Sequence, residues 1–277
     1  MNNIIIHKNQ IDTNLNYDIN LIIISDIHAD SLSKRIENFK ILIEKVAKIN
    51  PDYILIPGDS IQSYRSLIEN IEFVFSEFGK IAPTIISLGN HELEACQKGL
   101  NLNWFYNLER FYQVYPLDNS SITINNIQFT GFCPNLEAYF PFTKNAEELF
   151  LQKFINSSIQ IDPNALFKIM LTHNPNFITD SLLTTNASLA EYDLFVSGHN
   201  HNGCVPDILD ELFYHYGIFG PYFTLFPKKC RGIIDIYNSK LFVSKGYRKF
   251  AQENIISNTI DQLYNRDVHQ LVLKKKN

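Results

Sequence analysis

No run of about 18 consecutive apolar residues occurs in this chain of 277 residues, so a transmembrane helix is not expected. The start, MNNIIIHKNQ, lacks the cationic stretch and the long apolar stretch of a secretory signal. Positive charge is also in short supply, because 24 lysines and arginines stand against 29 acidic residues. The net charge of −5 argues against nucleic acid as the main partner. We therefore expect a soluble cytoplasmic protein.

Cysteine is rare and shows no paired spacing. The four cysteines, Cys96, Cys133, Cys204 and Cys230, form no CxxC motif, so we expect free and mostly buried thiols. Internal repeats and Pro-rich or Gly-rich linkers are absent as well. At 45% hydrophobic residues the chain can bury a large core, and we predict a single domain over residues 1–277.

Five short apolar runs predict buried strands, because they are rich in β-branched residues, do not alternate and end at turn residues. These runs are residues 20–25, 53–57, 84–88, 168–172 and 194–197. Between the first three runs, residues 32–49 and 67–78 carry apolar side chains at helical spacing. Alternating strands and helices predict mainly parallel pairing, with helices on the faces of the sheet.

Alternating patterns predict further strands. Residues 121–132 and 232–246 are typical of antiparallel hairpins, which would turn around Asn125-Asn126 and Asn238-Ser239. The segments NIIIH (3–7) and HQLVLKK (269–275) are candidates for edge strands of a second sheet.

A polar cluster follows each of the five buried runs: SDIHAD, GDS, GNHE, THNP and SGHNH. Five of the eight histidines lie in these clusters. Ligands of α/β proteins bind at the carboxyl ends of parallel strands, because the loops converge there. Each motif alone is common in turns, but all five in order indicate a site.

The candidate ligands combine oxygen and imidazole donors and include no thiolate, which suits Mn, Fe or Zn better than Ca²⁺. They are Asp26, His28, Asp59, Asn90, His173, His199 and His201. Seven groups are too many for one tetrahedral ion and about right for two ions that share a carboxylate. Paired ions suit in-line displacement at phosphorus.

The ordered motifs DIH, GD, GNHE, H and GHNH, between Asp26 and His201, resemble those of the calcineurin-like metallophosphoesterase superfamily. The resemblance implies an α/β fold, a four-layer α/β/β/α sandwich of two mixed sheets flanked by helices, in which the hairpins join the second sheet. It also implies a binuclear metal-dependent phosphoesterase. Such an enzyme hydrolyses a phosphomonoester, phosphodiester or pyrophosphate bond of a small molecule by attack of a metal-bound hydroxide.

The resemblance also assigns roles to the motif residues. The first metal ion would be held by Asp26, His28 and His201, the second by Asn90, His173 and His199, and Asp59 would bridge both. His91 would contact the phosphate and protonate the leaving alkoxide. The ions are expected to be Mn or Fe, with Zn as an alternative. Ala29-Asp30 and Gln62 depart from the loops of many relatives, which bears on substrate fit.

Two segments are predicted inserts: residues 211–231, which we call the aromatic segment, and residues 249–264, before the last strand. The aromatic segment is either a loop that covers the core or a flap over the metals. As a flap it would select the substrate or contact a membrane surface, with Lys228, Lys229 and Arg231 near the phosphate. The basic run GYRKF (246–250) is expected to be solvated, and His7, His215 and His269 are expected to be ordinary packing or surface residues.

Two alternatives to this hydrolase remain. A catalytically silent scaffold with the same fold would be indicated by lost ligands, yet all seven ligands and His91 are present. A metal-dependent hydrolase of a non-phosphate ester or amide fits the bridging Asp and the Asn less well. Protein phosphatases of the superfamily carry arginines that GDSIQS and LGNHE lack, so a phosphoprotein substrate is not expected.

Overall fold

A computed structural model of the chain describes residues 3–30, 36–140, 143, 145–248 and 264–276. In these residues, twelve strands form two mixed sheets of six strands each. The first sheet has the order β1-β12-β2-β3-β4-β5, and the second has the order β10-β11-β9-β8-β7-β6. The strands of the first sheet are β1 (Ile4–Thr13), β2 (Ile19–Ile23), β3 (Tyr53–Pro57), β4 (Thr84–Ser87), β5 (Val114–Leu117) and β12 (Arg266–Lys275).

The strands of the second sheet are β6 (Ser120–Ile124), β7 (Ile127–Gly131), β8 (Phe167–Leu171), β9 (Leu194–Ser197), β10 (Gly232–Ile236) and β11 (Ser239–Val243). The α-helices are α1 (Ile36–Ile49), α2 (Ile68–Ile81), α3 (Asn90–Gln97), α4 (Asn103–Tyr106), α5 (Ala146–Ile155), α6 (Asp180–Thr185) and α7 (Asp210–Phe213). None of these α-helices, and no 3₁₀ helix of the described residues, is long and apolar enough to cross a membrane.

Two clusters of buried apolar residues account for the layered arrangement of helices and sheets. Side chains that alternate along each strand point to opposite faces of its sheet. Leu21 of β2 and Leu171 of β8 therefore join one core between the sheets. Ile22 packs instead with Phe39 of α1, and Met170 belongs to the same outer cluster. Because both faces are covered, central strands such as β3 are buried along their whole length, and the α/β/β/α sandwich is confirmed.

The five predicted buried strands are all present, divided between the two sheets. The first three runs are β2, β3 and β4, which pair in parallel in the first sheet. The last two are β8 and β9, which pair in parallel in the second sheet. The first predicted helix begins at Ile36, and residues 31–35 lie outside the described part of the chain.

Both predicted hairpins are confirmed, at the outer positions of the second sheet. Asn125 and Asn126 turn the first with φ of 50° and 64°, as a type I′ turn requires. The second turns one residue earlier than predicted, at Tyr237-Asn238, because Ile236 pairs with Ser239.

The assignment of the chain's end segments to a second sheet was wrong. β1 pairs in parallel with β12, and β12 pairs antiparallel with β2, so both strands extend the first sheet. Of these two strands, β1 lies at an edge of the first sheet, and β12 lies in its interior. The alternating apolar pattern identifies a strand that covers a core, but it does not specify which neighbour supplies its hydrogen bonds. Of the predicted insert 249–264, only Tyr264 lies within the described residues.

Candidate metal centre

The loops that follow the five buried strands meet at one end of the sandwich. Nε2 of His173, after β8, lies 2.9 Å from Oδ2 of Asp59, after β3. The same nitrogen lies 3.7 Å from Oδ1 of Asp26, after β2. Side chains from both sheets therefore share one cluster.

Three sets of side chains have donor atoms within 4.8 Å of one another, close enough for each set to hold a metal ion. These sets are Asp26 with His28 and His201, Asp59 with His173 and His199, and His28 with Asp59 and His91. The structure thus brings all of the predicted carboxylates and histidines together. Asn90 begins α3 beside His91, and the N–H of His91 donates to Oδ1 of Asp59 at 2.9 Å.

Backbone carbonyls fix the orientation of three of the imidazoles. Nδ1 of His173 donates to the carbonyl of Pro57 at 2.9 Å, and Nδ1 of His201 donates to that of Arg248 at 2.7 Å. Nδ1 of His91 donates to the carbonyl of Gln62 at 2.7 Å. Because a carbonyl only accepts, Nδ1 carries a hydrogen in each ring, and Nε2 is the nitrogen that faces the carboxylates.

Several buried polar atoms in this cluster have no hydrogen-bond partner among the described residues. They include both ring nitrogens of His28 and Oδ1 of Asn90. Leaving such an atom unsatisfied costs about 1–3 kcal/mol. A bound cation would accept a lone pair from one ring nitrogen of His28 and from Oδ1 of Asn90, and the mixture of imidazole and oxygen donors suits a transition metal. The residues therefore fit a metal centre.

The electrostatics of the cluster also favour cations. Burial raises the pKa of the Asp59 carboxyl, but His173, His91 and His28 together outweigh burial and hold that pKa well below its usual range. For His173 the opposite holds: burial lowers the pKa, and the Asp59 carboxylate raises it to about 9. Burial and the charge of His91 lower the pKa of His28 to about 3. The buried carboxylates stay ionised, and they attract positive charge.

The backbone around the cluster is strained. Five of the predicted ligands adopt left-handed φ values between 45° and 69°, a conformation that costs non-glycine residues about 1–3 kcal/mol each. They are Asp26, His28, Asp59, His199 and His201. Glycines permit the close approach of the loops, since a Cβ on Gly89 would lie 2.2 Å from Oδ1 of Asp59. Strain of this kind is found at functional sites, where the surrounding packing enforces it.

Glu92 supports the cluster in a way that the motif GNHE alone did not reveal. Its buried carboxylate accepts the N–H groups of Gly89 at 2.7 Å and Asp59 at 3.1 Å. It also accepts those of Ser60 at 2.7 Å and Ile61 at 3.1 Å. One side chain thus ties the loop after β3 to the start of α3. The sequence signal was an acidic residue in the first turn of a helix.

Arg248 is a second supporting residue, and its prediction as a solvated charge was wrong. The side chain is buried, and one of its amino groups donates to the carbonyl of His28 at 2.7 Å. The same group lies 3.3 Å from Oδ2 of Asp30. The backbone N–H of Arg248 donates to the carbonyl of Asp26. β11 pairs with β9, so the chain that leaves β11 runs directly behind the Asp26 loop.

Several apolar side chains of the aromatic segment are exposed, so the segment is more than a cover for the core. Leu212 and Phe226 are 79% and 68% exposed. Arg231, in contrast, is buried, and its guanidinium donates to the carbonyls of Asn202, Tyr214 and Tyr216. Its predicted place beside the phosphate was therefore wrong, because carbonyls of Asn202 and of the segment itself accept from its guanidinium. Lys229 donates to the carbonyl of Ile178, which leaves Lys228 as the exposed cation of the three.

Many solved structures match this chain, and three of them do so at 10–11% identity. A protein of Thermus thermophilus matches with a TM-score of 0.46 and 10% identity over 82% of this chain and 89% of that chain. A dimetal phosphatase of Danio rerio matches at 0.41 and 11%, over 82% and 87%. A phosphopantetheinyl hydrolase of Mycobacterium tuberculosis matches at 0.43 and 11%, over 92% and 96%.

Sequence comparison is more specific. An uncharacterized metallophosphoesterase of Campylobacter jejuni is 28% identical over 192 residues, which are 69% of this chain and 46% of that protein. The chain therefore spans about half the length of this relative. The sequence model of the calcineurin-like phosphoesterases matches residues 19–203, which include all five motifs and more than half of the chain. The chain belongs to the calcineurin-like phosphoesterase family.

Proposed function

We propose that this chain is a metal-dependent phosphoric ester hydrolase that acts on a small-molecule phosphoester. The observation that carries the proposal is the 2.9 Å approach of His173 to Asp59 across the two sheets, beside buried lone pairs that lack partners. Structural stability does not account for this arrangement, because burying charged and unpaired polar groups costs more free energy than burying apolar side chains.

Two ions of Mn or Fe, or alternatively Zn, account for the donors. Asp26, His28 and His201 would hold the first, Asn90, His173 and His199 would hold the second, and Asp59 would bridge them. Such a pair neutralises phosphoryl oxygens and lowers the pKa of a coordinated water towards about 7. The protein keeps the donors oriented through the carbonyls of Pro57 and Arg248 and through Glu92.

His91 would protonate the leaving group. Its side chain is 22% exposed, whereas those of His28 and His173 are fully buried, so it can reach a substrate at the rim. The carbonyl of Gln62 fixes its Nδ1, and Nε2 lies 4.0 Å from Oδ2 of Asp59. A proton on Nε2 would then be donated to the departing oxygen.

The test combines metal content with turnover. Protein purified without chelator is expected to hold two metal ions per chain and to hydrolyse p-nitrophenyl phosphate or bis-p-nitrophenyl phosphate with added Mn²⁺. Chelation should abolish turnover, and Mn²⁺ should restore it. A chain that holds both metals yet turns over no phosphoester would instead support the silent scaffold.

We also propose that the aromatic segment makes peripheral contact with a membrane. Leu212, Leu225 and Phe226 of this segment are exposed, with Leu225 at 62%, and exposed apolar side chains are found at interaction sites. The protein is expected to co-sediment with phosphatidylcholine vesicles, and Leu225→Asp with Phe226→Asp should weaken this. Equal sedimentation of both proteins would overturn the idea.

A single domain over residues 1–277 and a cytoplasmic location complete the proposal. β1 and β12 come from distant parts of the chain and pair over ten residues, which supports one folding unit. Cys96, Cys133 and Cys230 carry free thiols, as is usual in a reducing compartment. Limited proteolysis is expected to leave one resistant core, and two separable halves would contradict the single domain.

A further inference from the structure

A cavity of about 370 Å³ lies beside the metal centre, and we call it the side pocket. Its walls come from three parts of the chain that are distant in sequence. Tyr139 and Phe140 form one wall, Asn174 and Phe177 form the second, and Tyr222 of the aromatic segment forms the third. The size lies within the usual range for small-molecule sites.

The side pocket shares residues with the candidate metal centre. His199, a predicted ligand, lines both. The ring of Tyr139 lies 5.6 Å from that of His199 and 6.4 Å from that of His173, measured between centroids. A phosphoryl group bound at the metal centre would therefore direct one of its organic substituents into the side pocket.

The lining of the pocket indicates what this substituent is. Aromatic rings supply flat apolar faces, and the amides of Asn174 and Asn176 and the carboxylate of Glu147 supply polar edges. An acyl chain would desolvate these polar groups without replacing their hydrogen bonds, at about 1–3 kcal/mol each. A second anionic group would meet Glu147, and no lysine or arginine is among the described residues of the lining. A planar, uncharged ring with hydrogen-bonding edges fits best.

Tyr222 links the pocket to the metal centre. Its hydroxyl donates to Oε1 of Glu94 at 3.0 Å, and Nδ2 of Asn90 donates to the same oxygen at 3.2 Å. Its ring packs against Phe140 edge-on, with centroids 5.7 Å apart. The backbone of Tyr222 is left-handed, with φ of 54° and ψ of 32°. Such strain in an exposed segment persists only where the surrounding contacts hold the residue in place.

We propose that the side pocket binds the organic group of the substrate, a planar uncharged heterocycle such as a nucleobase, and that Tyr222 determines this specificity. The inference rests on the proposed function of the adjacent metal centre. It goes beyond that function because it specifies which phosphoesters are preferred.

Two diesters with the same leaving group test the preference. The p-nitrophenyl ester of thymidine 5′-monophosphate carries a nucleobase, whereas p-nitrophenyl methyl phosphate carries no ring. Because both release p-nitrophenol, a difference in kcat/KM reports recognition of the remaining group. We expect the metal-loaded protein to prefer the nucleoside ester by at least about tenfold, the scale of one stacked base.

Variants assign this preference to Tyr222. Tyr222→Ala should remove most of the preference, because its kcat/KM for the nucleoside ester should fall several-fold more than its kcat/KM for the methyl ester. Tyr222→Phe keeps the ring and should keep most of the preference. The matched control is Tyr237→Ala, a half-exposed tyrosine on the hairpin of β10 and β11, which should behave as the unchanged protein. Equal kcat/KM for both esters in the unchanged protein would overturn the inference and leave the hydrolase intact.

A binding measurement separates this failure from failure of the hydrolase. Thymidine, which has no phosphate, should show saturation-transfer NMR signals with the metal-free protein, and Tyr222→Ala should abolish them. If neither diester nor p-nitrophenyl phosphate is hydrolysed, the proposed function fails, and this binding result alone decides the pocket. Absence of thymidine binding to the unchanged protein would then overturn the inference.

Discussion

The metal centre and the aromatic segment lie next to each other, but they are built in opposite ways. In the metal centre, the predicted ligands are nearly all buried, and carbonyls or amides fix their positions. In the aromatic segment, apolar side chains such as Leu212 and Phe226 face outward, and one buried arginine, Arg231, holds the backbone together. Burial and hydrogen bonds thus fix the side chains of the metal centre, whereas apolar side chains of the adjacent aromatic segment remain accessible.

Among the variants that test this comparison, Asp59→Asn is expected to have the largest effect on metal content and activity. Asp59→Asn removes the charge that both proposed ions share, so the protein should lose at least one metal equivalent. We expect kcat/KM to fall by at least about 10²- to 10³-fold, the loss seen on removing a single electrostatic contact to a transition state. Elemental analysis and steady-state kinetics measure both, with the exposed Asp235→Asn as the matched control. Full metal content in Asp59→Asn would contradict the bridging role.

The next effect concerns stability. Glu92→Ala leaves four backbone N–H groups of the metal centre without their acceptor. We expect the free energy of unfolding to fall by about 3 kcal/mol or more, since each buried unsatisfied donor costs about 1–3 kcal/mol. Urea denaturation measures this loss. The exposed Glu109→Ala should change it by less than about 0.5 kcal/mol, and an equal change in both variants would refute the role of Glu92.

His91→Ala tests the division between ligands and the proton donor. Both metals should remain, and turnover of an alkyl phosphoester should fall about 10²-fold or more, because a poor leaving group needs general-acid help. Hydrolysis of p-nitrophenyl esters should change much less, because p-nitrophenolate leaves without a proton. The control is His7→Ala, which has similar side-chain exposure and lies outside the site. His91 also lies within ligand distance of His28 and Asp59, so loss of a metal would reassign it as a ligand.

The smallest effect is expected in the aromatic segment. Phe226→Ser should change the free energy of unfolding by less than about 0.5 kcal/mol, because the ring is largely exposed. Arg231→Met should cost more, since the carbonyls of Asn202, Tyr214 and Tyr216 lose their donors. Urea denaturation of the two variants checks the difference. If Phe226→Ser destabilised the protein as much, the segment would be a core cover after all.

The residues that the sequence analysis identified share one property: each follows a buried strand. The type of such a side chain and its place after an apolar run are both visible in the sequence, so Asp26, Asp59 and His173 could be selected together. The five buried strands and the two hairpins could be predicted for the same reason, because burial leaves a local pattern of apolar residues.

The remaining features depend on contacts that leave no local pattern. Arg248 supports the centre through backbone groups of Asp26 and His28, which any residue type would present. The place of β12 inside the first sheet depends on pairing between distant segments. The exposure of Leu212 and Phe226 leaves no signal in the sequence, because a segment rich in Phe and Tyr is equally typical of a core.

Anomalous diffraction from crystals grown with Mn²⁺ tests the central claim most directly. The account predicts two manganese peaks, one beside Asp26 and His201, the other beside His173 and His199, with the Asp59 carboxylate between them. A single peak, or peaks that do not contact Asp59, would contradict it.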